Sequence, residues 1–263
     1  MQEYFDNNKM LWNAKVPIHL NADLYDMEAF MDGKSSLDKA TLSHLGEVSG
    51  KKILHLQCHF GQDTLSLARM GAKATGLDIS DVAVEKAREL NTTLSLDAEF
   101  VCCNVYDAKE HISEKFDIVY ASFGTIVWLP DLEKWADVVQ HFLKPGGRFV
   151  FLDFHPVMDM LNWDTCAFEY DYFNKGEPHL EITQGTYADA NADIKMKEYF
   201  WNHSLMEVIQ ALQKSNLKME IMAEYDYSPY DIFGEMIQRS EREFTMKRMP
   251  VAFPYFYALV YTK

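Results

Sequence analysis

The chain is short of positive charge: 25 Lys and Arg stand against 40 Asp and Glu, a formal net charge of −15 over 263 residues. Affinity for a polyanion rests mostly on cations that neutralise phosphates, so this balance argues against nucleic acid as a partner. The one run able to form a basic groove, Lys247 and Arg248 after Arg239 and Arg242, is interleaved with Glu235, Glu241 and Glu243. No apolar stretch approaches the roughly 18 residues that suggest a membrane span. The acidic opening Met1-Gln2-Glu3-Tyr4-Phe5-Asp6 lacks the apolar core of a secretory signal, so a cytoplasmic protein with no membrane partner is expected. Cysteine is scarce: Cys58, Cys102, Cys103 and Cys166 show no CxxC spacing, and reduced, mostly buried thiols are expected. A metal site is disfavoured as well. His55, Cys58 and His59 lie close in sequence, but His55 and Cys58 would face opposite sides of a strand, and no second His/Cys pair follows.

Apolar and aromatic residues are plentiful: 48% of the chain is hydrophobic, with 17 Phe, 14 Tyr and 5 Trp, which excludes disorder and permits one large domain or two small ones. From residue 52 to 154, short buried runs alternate with helical periods, the behaviour of βαβ units around a parallel sheet. The runs are Ile53 to Cys58, Ala74 to Leu77, Phe100 to Cys103, Phe116 to Ala121 and Arg148 to Phe154. Between them, Asp63 or Thr64 caps a short helix that Gly71 ends, and a second helix opens after Ser80. Asp131 caps a third, which Pro145-Gly146-Gly147 stops.

Four segments follow from this rhythm. Residues 1–50 form a leader with Trp12, His19 and Tyr25 before a helix around Leu37 to Leu45, and residues 51–154 form the core. Residues 155–202 form an aromatic-rich cap, in which Phe168, Tyr170, Tyr172, Phe173 and Trp163 are candidates to line a pocket. Residues 203–263 supply a last helix from about Ser204 to Lys214, a strand through Leu217, Met219 and Ile221, and a terminal strand Tyr255 to Tyr261.

A mononucleotide-binding crossover needs a strand, a tight turn, a helix whose N-terminus faces the ligand, and an acid closing the next strand. Ile53 to Cys58, His59-Phe60-Gly61, the helix from Gln62 and Asp78 supply these parts. An ionised carboxylate at Asp78 can accept both hydroxyls of an unphosphorylated ribose. Gln57 and His59 stand where a glycine-rich fingerprint needs glycine, which narrows the space for a pyrophosphate and disfavours a dinucleotide.

These residues resemble the class I S-adenosylmethionine-dependent methyltransferases, in the small-molecule group with a degenerate HLQCHxGxDT first motif. On the family's hydrophobic-Asp-hydrophobic-GxGxG pattern, His55 stands at the Asp, Gln57 and His59 at the first two glycines and Gly61 at the third. The resemblance continues through Thr75-Gly76-Leu77-Asp78-Ile79-Ser80, Asn104-Val105, Phe116 to Ser122 and Leu143-Lys144-Pro145-Gly146-Gly147. It implies a Rossmann-like, doubly wound, mostly parallel seven-stranded α/β sheet with the last strand antiparallel. It also implies bound S-adenosylmethionine, with Gln57, Cys58 and Gly61 at the methionine end and Asp78 and Ile79 at ribose and adenine. Asn104 and Val105 fall at the adenine edge, and Ala121 and Ser122 beside the methyl.

The acceptor is expected to be a small molecule, because Ala121-Ser122-Phe123-Gly124 lacks the Asn/Asp-Pro-Pro-Tyr/Phe string by which related enzymes methylate base amines. A hydroxyl or ammonium acceptor must lose a proton, for which His155, after the fifth strand, is the expected base. His19 and His203 can serve only if the leader or cap folds over the site, and His59 is expected to shape the cofactor loop. Two other readings remain open: a nicotinamide-dependent oxidoreductase, and a module that binds the cofactor without catalysis.

Overall fold

The computed structural model describes residues 1–162, 165, 167–233, 236–247 and 251–263. Trp163, Cys166, Glu235 and Arg248 therefore lie outside the described residues. Five strands, β1 (Lys52–Leu56), β2 (Lys73–Asp78), β3 (Glu99–Cys102), β4 (Phe116–Ala121) and β5 (Leu143–Phe154), pair in parallel. Two small hairpins follow, β6 (Leu161–Asn162) with β7 (Ala167–Phe168), and β8 (His179–Gln184) with β9 (Lys195–Phe200). The large sheet is completed by β10 (Lys218–Tyr225) and β13 (Phe256–Thr262), with the hairpin β11 (Ile237–Ser240) and β12 (Glu243–Thr245) between them in sequence. Its order is β10-β13-β5-β4-β1-β2-β3, and β13 runs antiparallel to both neighbours, as the resemblance implied. The architecture is the doubly wound α/β sheet expected.

Helices cover both faces. They are α1 (Gln2–His19), α2 (Met27–Met31), α3 (Lys39–Leu45), α4 (Gln62–Arg69), α5 (Asp81–Thr93), α6 (Ala108–His111), α7 (Leu132–Phe142) and α8 (Leu205–Lys214). The strand period of two decides which side chains meet which layer. Val150, Leu152, Phe256 and Ala258 join the core with Leu65 of α4 and Ala87 of α5, while Phe149, Phe151, Tyr257 and Leu259 join the core with Trp135 of α7 and Leu212 of α8. The cap read at Asp131 is confirmed, its side chain accepting the Lys134 N–H, and Ser80 and Ser204, at the starts expected for two other helices, cap them by accepting the N–H of Ala83 and Glu207. At α4 the structure differs: Gly61, with φ +79°, is the N-cap, so Asp63 lies inside the first turn and turns its carboxylate elsewhere. The adjacent Cys102 and Cys103 pack into opposite cores.

The leader holds a helix that hydrophobic periodicity does not show. The buried face of α1 is Asn8, Leu11, Lys15, Val16 and His19, and three of these five are polar. Asn8 donates to the Tyr199 carbonyl (2.7 Å) and accepts the Tyr199 N–H (3.1 Å), adding a side chain to the edge of β9. Asn13 accepts from Ser80 Oγ (2.6 Å), and Lys9 pairs with Asp81 (2.9 Å). These bonds stretch α1 from the β8–β9 hairpin to the start of α5, across the carboxyl ends of β1 and β2. Among the described residues no helix is long and apolar enough to cross a membrane.

Candidate active site

The turn after β1 keeps a glycine path on residues that are not glycine. Gln57 has φ +54° and His59 φ +51°, the left-handed region that a side chain enters only at a cost. Backbone bonds hold it there: Cys58 N–H donates to the Leu77 carbonyl and Gly61 N–H to the Cys58 carbonyl, each at 2.9 Å. Gly61 is irreplaceable by size as well as by φ, since a Cβ there would lie 2.6 Å from the Phe100 ring.

Asp78 closes β2 beneath this turn. Its carboxylate accepts the His59 N–H (2.8 Å) and the Ser80 N–H (2.9 Å) and is only 9% exposed. Burial pushes its pKa up to about 6, and the backbone N–H groups of Ser80 and His59 work against that rise. Two accepted bonds leave a carboxylate room for two more. Ile79 follows, half-buried, its carbonyl near Cys102 Sγ. Asn104 accepts the Tyr106 N–H (3.1 Å) as the cap of a short turn.

The side chains of Cys58, Val105 and Ala121 belong to the cores, so these three residues can offer a ligand only their backbone. Ser122 instead joins a polar cluster absent from the sequence reading. Asp63 accepts Ser36 Oγ (2.6 Å), Tyr120 OH (3.3 Å) and Ser122 Oγ (3.5 Å). Burial raises the Asp63 pKa against those bonds and the field of Arg242.

His155 is not brought to the turn. Its Nε2 meets Glu224 Oε1 of β10 (3.0 Å) and its Nδ1 accepts the Val157 N–H (3.2 Å), so both ring nitrogens are in use. Burial lowers its pKa, with Glu224 opposing. His203 is likewise tied down, to Glu207 (2.9 Å) and the Leu129 carbonyl (2.8 Å). His55 bonds Thr64 (2.9 Å) and lies beside Tyr120, while His59 turns to α1. In the cap, Phe168 and Phe173 are 64% and 68% exposed, and Tyr170 packs on His179 and Phe200 of the β8–β9 hairpin.

His19 meets the condition set for it, because α1 folds over the turn. Its Nδ1 lies 3.0 Å from His59 Nε2, with Trp12 edge-on to both rings. Gln57 Nε2 donates to the Thr125 carbonyl (2.8 Å), joining the loops after β1 and β4. Four buried polar atoms near these groups have no hydrogen-bond partner among the described residues: Gln57 Oε1, Thr125 Oγ1, His59 Nδ1 and His19 Nε2. These four, from the turn, α1 and the loop after β4, are where a polar ligand could supply the missing bonds.

Residues 53–147 match the family model of a methyltransferase domain. The chain is 29% identical over 182 residues to an uncharacterized methyltransferase of Synechocystis sp., covering 68% of this chain and 84% of that one. It is 33% identical over 101 residues to the human mitochondrial ubiquinone biosynthesis O-methyltransferase, but spans only 27% of that protein. The fold resembles an S-adenosylmethionine-dependent methyltransferase of Mesorhizobium loti, with a TM-score of 0.58 at 20% identity over 89% of this chain and all of the other. It also resembles geranyl diphosphate C-methyltransferase of Streptomyces coelicolor A3(2), solved with Mg2+, geranyl diphosphate and S-adenosyl-L-homocysteine (TM-score 0.56, 14% identity, 85% of this chain and 77% of that one).

Proposed function

We propose that the chain is a class I S-adenosylmethionine-dependent methyltransferase and that it methylates a small molecule held above the turn between β1 and α4. The observation that carries this reading is the left-handed pair Gln57 and His59 over the buried Asp78 carboxylate, with unpartnered polar atoms beside it. The cofactor supplies an electrophilic methyl group on a sulfonium. Asp78 would hold the ribose hydroxyls through its remaining lone pairs, and the half-buried Ile79 would pack on the base. The backbone at Asn104 and Val105 would meet the adenine edge. Gln57 Oε1 and Thr125 Oγ1 would meet the amino-acid end, together with the backbone of Cys58 and Gly61, and Ala121 and Ser122 would lie beside the methyl group.

In-line transfer demands that the acceptor be held close, aligned and dry. The roof of α1 and the Asp63 cluster suit that demand. The net charge of −15 supports a small acceptor over a nucleic acid.

Calorimetric titration with S-adenosyl-L-homocysteine and, separately, with NAD tests the cofactor. Heat with the first alone is expected, and heat with NAD alone would replace this reading by the oxidoreductase. Consumption of S-adenosylmethionine over a panel of phenols, carboxylates, amines and thiols then separates a catalyst from a module that only binds.

A further inference from the structure

The contacts of His59 continue beyond His19. Tyr25 OH lies 3.3 Å from the same His19 Nδ1 that meets His59 Nε2, and Tyr25 OH in turn bonds Tyr187 OH. Tyr187 is 42% exposed, whereas His19 is fully buried. One line of hydrogen-bonding atoms thus runs from a buried, unpartnered nitrogen on the cofactor turn, His59 Nδ1, to a side chain in contact with water. Three separate segments build it: the β1–α4 turn, α1 with the turn that follows it, and the loop after β8. The rings are packed in place, His19 stacked on Tyr25 (5.2 Å, 24°) and tilted on Tyr187 (4.7 Å).

We propose that His59, His19, Tyr25 and Tyr187 form a proton exit line, with His59 Nδ1 taking the proton from a hydroxyl methyl acceptor. The inference rests on the methyltransferase reading and adds the acceptor class to it. As the new O–CH3 bond forms, the O–H proton passes to His59 Nδ1, and His59 Nε2–H passes its proton to His19 Nδ1. His19 then gives that proton to Tyr25 Oη, Tyr25 gives its own to Tyr187, and Tyr187 releases one to water. Each group takes one proton and gives one, so only the tautomer of His59 changes, and imidazole exchange with water restores it.

The surroundings keep the two rings neutral. Burial lowers the pKa of His19 to about 3, with Lys15 adding to the effect, and burial, His19 and Lys15 lower that of His59. Lys15, 4% exposed, is paired with Glu198 (3.1 Å) and lies over the rings of Trp12, Trp128 and Tyr187. Asp78 faces the His59 N–H from β2, and Asp63 stands on α4. Such weak bases cannot deprotonate an ammonium ion at rest. They suffice for a hydroxyl, whose proton becomes strongly acidic as the oxygen gains a methyl group.

The test has two arms. In 15N-histidine NMR of the ligand-free protein at pH 7, His19 and His59 are expected neutral, both in the Nε2–H form, with His19 Nδ1 shifted as an acceptor and restored toward a free nitrogen in His59→Asn. A charged ring, or a His19 signal unmoved by His59→Asn, overturns the line. In the second arm, S-adenosylmethionine consumption is measured over phenols, catechols and hydroxy acids, with S-adenosyl-L-homocysteine affinity as the control. His59→Asn is expected to slow turnover about 100-fold and Tyr25→Phe about tenfold, with added imidazole rescuing a His19→Ala protein. Turnover of carboxylates or amines alone, or of none of the hydroxyl panel while S-adenosyl-L-homocysteine still binds, overturns the proposal. Loss of that binding in the wild-type chain overturns the methyltransferase reading instead.

Discussion

Replacing Asp78 by Asn separates what the carboxylate does for folding from what it does for a ligand. Its folded pKa of about 6 lies above the ordinary 3.8. Between those values the native chain binds more protons than the unfolded one, so stability falls as pH rises through the window from about 4 to 6 and is flat above it. A rise of a little over two pH units, at about 1.4 kcal/mol each, makes the carboxylate's contribution to that fall ~3 kcal/mol. Urea unfolding of wild type and Asp78→Asn from pH 4 to 7 is therefore expected to show a shallower pH dependence in the variant. Affinity for S-adenosyl-L-homocysteine moves the other way: losing charge-assisted bonds to two ribose hydroxyls costs about 3 kcal/mol, roughly 100-fold in Kd. An unchanged Kd would remove Asp78 from the ribose, and parallel stability curves would mean that the carboxylate is not desolvated. Asp153, which burial also pushes up to about 6, supplies the comparison, since Asp153→Asn is expected to flatten the curve without the loss of affinity.

Gly61→Ala puts a Cβ 2.6 Å from the Phe100 ring in a left-handed backbone, and a loss of about 2–3 kcal/mol is expected by thermal unfolding. Asn8→Ala removes both bonds to Tyr199, so a loss of about 2 kcal/mol and faster proteolysis within residues 1–20 are expected. Lys15→Met leaves Glu198 without its cation and relieves His19 and His59 of a repelling charge. The pKa of both rings is expected to rise, read by 15N NMR, and an unchanged titration would detach Lys15 from them.

The sheet was legible because most of its strands are short apolar runs between turn residues, β10 by its alternation, and because a side-chain cap such as Asp131 declares itself. Asp78 could be read for the same reason, as an acid placed by the strand it ends. The roof was not legible. The inner face of α1 is built from Asn8, Lys15 and His19, which bury themselves by bonding to partners far along the chain, and no apolar period records that. Asp63 was read as a helix cap because acids commonly cap. Gly61 takes that place instead, and the carboxylate is released to Ser36, Tyr120 and Ser122. His155 was chosen for its position after β5, but a strand end fixes only the backbone, and Glu224 decides where the ring goes.

The bond from Asn8 to the Tyr199 carbonyl spans 191 positions of sequence. A ribosome adding about 5–20 residues each second needs roughly 10–40 s to travel that far. Throughout that interval α1 can rest only on the β1–α4 turn and the start of α5, through His19, Asn13 and Lys9. Its polar inner face lets it wait in water without adhering to other nascent chains, and the bond that closes it against the β8–β9 hairpin forms only once Tyr199 is made.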